Sequence, residues 1–168
     1  FHVVEEIHAQ LSQLDLKHES VSIQIVNSEG TDFVSFPLGH KSLTWDEIAA
    51  RVAGISWPKT TTNPEDYPWV LEVWKTGAPR YEPSVPEGVP FQARSMLDVA
   101  FSQGTLAINS ARPHAFSRED IALLQRFGHV LSDGFQRFVD LVGRRQAEEV
   151  VRVNLALQRV RNEVLQME

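Results

Sequence analysis

Arg94-Ser95-Met96-Leu97-Asp98-Val99-Ala100-Phe101, then Ser102-Gln103-Gly104, then Thr105-Leu106-Ala107-Ile108-Asn109, reads as two strands joined by a tight turn. Ser95, Leu97 and Val99 alternate with Arg94, Met96 and Asp98, so the two sets point to opposite faces of a sheet. A turn this short makes the pair antiparallel. Which set faces the interior of the fold stays open at this point. Arg94 and Asp98, four residues apart on one strand face, read first as a surface ion pair.

Upstream, a second hairpin is visible. Val21, Ile23 and Ile25 alternate with Ser22 and Gln24, Asn27-Ser28-Glu29-Gly30 carries turn chemistry, and Asp32 to Leu38 returns as the partner strand. Val3, Val4, Ile7, Leu11 and Leu14 repeat at helical spacing and predict a first helix ending near Leu14. Thr44 is placed to cap a short helix over Trp45 to Val52. From Ile55 to Pro68 the prolines at 58, 64 and 68 forbid a regular element. Pro68 then suits the first helical position of a helix over Trp69 to Lys75, ended by Thr76-Gly77. Pro79 to Pro83 is a short extended piece.

Downstream, Ser117-Arg118-Glu119-Asp120 is close to a capping box, and no proline follows it to Glu168. One long helix is predicted, weakened at Gly128, Gly134 and Gly143 by about 1 kcal/mol each against alanine and a candidate for bending at Gly143. From Ile121 to Val142 the apolar residues are dense enough to pack on a globular body. From Val150 they tighten to Val150, Val153, Leu157, Val160, Val164 and Met167, the a/d steps of a coiled coil. These six are the expected homodimer interface. The alternative is an amphipathic helix folded back on its own domain.

The 168 residues suffice for one domain with a full core, and 42% hydrophobic with 23% charged residues is ordinary globular composition. A net charge of −6 without a basic patch argues against nucleic-acid binding. No apolar run is long enough to span a membrane and no signal-peptide pattern opens the chain, which fits a cytoplasmic setting. The absence of cysteine removes disulfides, thiolate metal sites and cysteine nucleophiles. Both ends read as cuts from something longer.

Four stretches in order resemble the GAF domain family. They are Val70-Leu71-Glu72-Val73-Trp74-Lys75-Thr76-Gly77 with Pro79 and Tyr81; Arg94 to Phe101; Gly104-Thr105-Leu106-Ala107-Ile108-Asn109-Ser110; and Ala115-Phe116-Ser117-Arg118-Glu119-Asp120-Ile121 with Leu124. The resemblance covers residues 1–142 and leaves 143–168 as a coiled-coil signalling helix leading to an output module. It implies an α+β fold, a GAF-like antiparallel sheet of five or six strands flanked by helices. It also implies a ligand cavity between one sheet face and the irregular segment. The role it implies is a sensory input domain of a larger signalling protein, of sensor histidine kinase or nucleotide cyclase type. Such a domain works as a dimer through its C-terminal helix. The cysteine of bilin-binding members and the Asn-Lys-X-Asp-Glu pattern of cyclic-nucleotide-binding members do not occur. A purely structural dimerisation module with a filled cavity is the alternative.

Trp57, Tyr67, Trp69 and Trp74 cluster in sequence and suit either a small-molecule pocket or a closed outer sheet face. Arg80 and Arg94 are candidates for contact with an anionic ligand. The six histidines show no metal-ligand spacing, and a single axial haem ligand would fall on His40 or His129. Glu65, Asp66 and Asp46 have the ordinary role of capping. No phosphate loop, nucleophile elbow or paired carboxylates are present, so neither a catalytic role, a cofactor nor a metal is expected.

Overall fold

The computed structural model describes residues 3–38, 64–85 and 93–165. The expected helix over Trp45 to Val52, the Ile55–Asn63 stretch with Trp57, and His40 lie outside them. Helix α1 (Val3–Gln13) leads to β1 (Ser20–Val26) and β2 (Phe33–Pro37). A 3-10 turn (Pro64–Asp66) precedes α2 (Pro68–Thr76) and the short β3 (Arg80–Glu82). Strands β4 (Ser95–Phe101) and β5 (Gly104–Ser110) come next, then α3 (Arg118–Leu165). The strands form one antiparallel sheet in the order β2-β1-β5-β4-β3.

Local chemistry accounts for the element ends. Pro68 occupies the first turn of α2, and Gly77 closes it at φ 69°, its N–H donating to Val73 O at 2.9 Å. That left-handed position is cheap for glycine alone. At the start of α3, Asp120 N–H donates to Ser117 Oγ (3.2 Å) and Ser117 N–H donates to Asp120 Oδ2 (2.8 Å). The capping box is therefore formed, with aspartate as its acid.

The sheet is covered on both faces. On one, Val21, Ile23, Ile25, Leu97, Val99, Leu106 and Ile108 pack with Val3, Val4, Ile7 and Leu11 of α1 and with Leu124 and Phe135 of α3. On the other, α2 brings Val70 against Val26 and Phe33. Helix α3 runs unbroken through Gly143. Its packing is narrower than its apolar density suggests. Phe135 is fully buried, whereas Val130 is 69% and Leu141 57% exposed. Val150, Val153, Leu157, Val160 and Val164 lie on its described backbone; their side chains, and Met167, are outside the described residues.

Gly128 is not the weak point its helix propensity suggests. A Cβ there would stand 2.5 Å from the carbonyl oxygen of Ala100, so the missing side chain is what lets α3 seat on β4. Gly134 and Gly143 have nothing within 4 Å of an added Cβ. Gly134→Ala and Gly143→Ala are each expected to raise stability in urea unfolding by about 1 kcal/mol. Gly128→Ala is expected to lower it by about 1–3 kcal/mol, as overpacking against backbone does. A Gly128→Ala protein as stable as the other two would mean α3 does not seat on β4 this closely.

Candidate ligand-binding site

The strand registers place three rows of side chains on the sheet face beneath α2. One row runs Pro37, Ser22, Ala107, Asp98 and Arg80, straight across all five strands. A second runs Ser20, Asn109, Met96 and Glu82, and a third Ser35, Gln24, Thr105 and Ala100. This face is rich in hydroxyl, amide and carboxyl groups, and its centre, with Gln24, Thr105, Ala107, Asp98 and Met96, is buried. Burying such groups costs about 1–3 kcal/mol each unless they find partners.

Most do. Thr105 Oγ1 donates to Gln24 Oε1 (2.7 Å), Gln24 Nε2 donates to Ser22 Oγ (2.8 Å), and Asn109 Nδ2 donates to Ser20 Oγ (3.1 Å). Two acceptors do not: Asp98 Oδ2 and Asn109 Oδ1 are buried with no hydrogen-bond partner. Between these polar rows and α2 lies a cavity of about 340 Å³. Its floor includes Ser20, Ser22, Gln24, Asp98 and Asn109, and its far wall is Tyr67, Trp69 and Val70. The Tyr67 and Trp69 rings meet edge to face at 5.3 Å. A mostly apolar concavity with a few convergent polar groups is the usual form of a small-molecule site.

Asp98 dominates the electrostatics. It is 1% exposed, and burial pushes its carboxyl from the usual 3.8 up to about 7, with the Arg80 charge opposing. Arg80 gives only partial relief, because it makes no hydrogen bond to the carboxyl: its Nη1 and Asp98 Oδ2 are both buried without partners. Its Nη2 donates to Glu82 Oε2 at 3.5 Å, and its guanidinium lies 4.7 Å over the Trp69 ring. The surface pair expected between Arg94 and Asp98 is corrected here: Asp98 is an interior group, and the charge beside it is Arg80.

The residues singled out from the sequence separate. Tyr67 and Trp69 line the cavity. Trp74 does not; its Nε1–H donates to Ser102 O at 3.2 Å, and its ring leaves no room for a side chain at Gly30. Arg80, on β3, is not part of the lining; it stands opposite Asp98 and over the Trp69 ring. Arg94 precedes β4 and ties two segments together, its N–H donating to Ser110 O and its carbonyl accepting from Val85 N–H. Trp57 lies outside the described residues. His129 is exposed on α3. Among the described residues no three His, Asp or Glu side chains gather as a metal site, and no helix is long and apolar enough to cross a membrane.

Asp98, Asn109 and Gln24 were missed as site residues. The available signal was the alternation itself, which puts Ser22 with Gln24, Met96 with Asp98, and Thr105 with Asn109 on shared faces. With helices on both sides of the sheet, that polar face had to be interior.

The raised Asp98 carboxyl has a definite sign. Between about pH 4 and 7 the folded chain keeps a proton that the unfolded chain has lost, so stability falls as pH rises through that window. The difference between 3.8 and about 7 corresponds to about 4 kcal/mol. Burial lowers His18, whose Nδ1–H donates to Leu16 O at 2.6 Å, and this acts oppositely, removing stability as pH falls below the usual 6.5. Comparing wild type with Asp98→Asn cancels the histidine. From pH 5 to 8 the wild type should lose about 2–3 kcal/mol relative to Asp98→Asn in urea unfolding. Parallel profiles would show that Asp98 titrates normally.

No protein-family model and no curated protein sequence matches the chain. Solved structures do match in shape. The GAF domain of a two-component sensor histidine kinase from Bacillus halodurans superposes with a TM-score of 0.55 at 15% identity, over 83% of this chain and 96% of that one. A domain of a putative two-component sensor histidine kinase from Sinorhizobium meliloti gives 0.52 at 17% identity, over 85% and 97%. A GAF domain of Synechocystis in its photoproduct state gives 0.53 at 15% identity, over 85% and 94%. With the sheet order and the helices on both its faces, these likenesses establish that the chain has the GAF-domain fold.

Proposed function

We propose that this chain is a non-catalytic sensory input domain of a larger cytoplasmic signalling protein, of sensor histidine kinase or nucleotide cyclase type. A small molecule enters the cavity, and α3 carries the result, as a parallel or antiparallel dimeric coiled coil over residues 143–168, to an output module. Two of the structural neighbours are domains of two-component sensor histidine kinases, which supports that setting.

The observation that carries the reading is a single node in the β4–β5 turn. Ser102 O accepts from Trp74 Nε1 of α2, and Ser102 N–H donates to Ser132 Oγ of α3 at 2.9 Å. Ser132 Oγ in turn donates to Gly128 O, where α3 seats against Ala100 of β4. The helix that walls the cavity and the helix that leaves the domain therefore grip the same turn. A ligand that shifts α2 by a fraction of an ångström has a short hydrogen-bonded route to α3. The energy required is small, since a coupling of about 1–3 kcal/mol changes state populations 5–150-fold. Helix α3 has apolar surface to offer a partner, with Leu141 and Val151 each 57% exposed.

Sedimentation of wild type and of the double variant Leu157→Glu, Val160→Glu tests the dimer. The wild type should sediment as a dimer and the variant as a monomer, with thermal unfolding of the sheet domain shifted by no more than a few degrees. A variant that remains dimeric would place the interface elsewhere. A monomeric wild type would remove the proposed transmission route.

A further inference from the structure

The cavity presents two buried acceptors that no donor of its lining meets. Asp98 Oδ2 and Asn109 Oδ1 both lack hydrogen-bond partners, and both residues line the cavity. Their side chains are diagonal neighbours on the paired strands, since Asp98 stands opposite Ala107 and Asn109 is two residues further on. Diagonal neighbours are about 7–8 Å apart, within the span of one small planar molecule. The donors nearby are spent: Asn109 Nδ2 on Ser20, Gln24 Nε2 on Ser22, and Thr105 Oγ1 on Gln24. Arg80, across from Asp98 on β3, has Nη2 on Glu82 and its guanidinium over the Trp69 face; its Nη1 is buried without a hydrogen bond and does not reach Asp98 Oδ2.

We infer that the cavity selects a planar ligand carrying N–H donors on one edge, an amidinium or an amino-substituted nitrogen heterocycle, with those donors on Asp98 and Asn109 and its ring against Tyr67 and Trp69. This rests on the reading of the cavity as a ligand site, and it reverses the expectation that Arg80 and Arg94 draw an anion. Three features favour it. A buried carboxyl is stabilised by a donor-bearing or cationic partner and penalised by an anionic one. An N–C–N edge meets a carboxyl group with two parallel hydrogen bonds, whichever partner carries the proton. Aromatic walls favour flat ligands.

Benzamidine and benzoate test this directly, because they share a ring and differ only in a donor-bearing cationic or an acceptor anionic edge. Binding is read by calorimetry and by thermal shift on the full chain, with Asp98→Asn and Asn109→Ala as variants. The expected result is that benzamidine raises the unfolding temperature of the wild type and benzoate does not. Asp98→Asn should lose tenfold or more in benzamidine affinity while folding at least as stably, and Asn109→Ala should lose several-fold. Benzoate binding in preference to benzamidine overturns the inference and leaves the ligand-site reading intact. So does benzamidine binding that is equal in wild type and both variants. If neither these probes nor 2-aminopyrimidine binds wild type or variant, the ligand-site reading falls together with the inference.

Discussion

Asp98 lies on an interior strand, across from Ala107 on one side and Arg80 on the other, at 1% exposure. A carboxyl group in that position is destabilising unless something answers it, and its partial answer is to hold a proton up to about pH 7. Its Oδ2 remains without a hydrogen bond. Around it Thr105, Gln24 and Ser22 satisfy one another, while Asn109 Oδ1 and Arg80 Nη1 stay without partners, which leaves a specific deficit rather than general polarity. Stability alone would favour an apolar residue here, so the cost points to a role in binding.

The opposite face of the same sheet has the contrary chemistry. Ile23, Leu97, Val99, Leu106 and Ile108 meet α1 and the first half of α3 in a hydrocarbon layer. The sheet is thus one layer thick between a polar chamber and the helix that leaves the domain. Gly128 brings that helix into backbone contact with β4, and Gly104 does the same for β5 and β1, where a Cβ would stand 1.7 Å from Gln24 O. Close seating of this kind transmits small displacements, because packed interiors do not absorb them. Ser102 adds a hydrogen-bonded link from α2 to α3 at the hairpin turn.

Much of this is legible in the sequence. Both hairpins, the α2 start at Pro68 and its end at Gly77, and the Ser117–Asp120 cap follow from local rules that tertiary context did not override. The helix pair α1 and α3 on one face follows from apolar spacing. Other features were hidden because they depend on what comes near in space. Gly128 looks like a propensity defect until Ala100 is seen beside it. Trp74 looks like a pocket ring until its indole is found holding Ser102. Asp98 looks like half of a surface ion pair because the strand alternation fixes which residues share a face but not which face is buried. Val130 and Leu141 count as core by composition, yet both are more than half exposed, since only one stripe of α3, with Leu124 and Phe135, meets the sheet. The seam from Val150 to Met167 remains a reading of spacing alone.

The chamber beneath α2 is organised around an unanswered interior carboxyl at Asp98. Carbon-detected NMR of the Asp98 side-chain carboxyl, followed from pH 3 to 9 without added ligand, measures this most directly. A titration midpoint at about 7 is expected. A midpoint close to the ordinary 3.8 would show the group solvated or already paired, and would contradict that organisation.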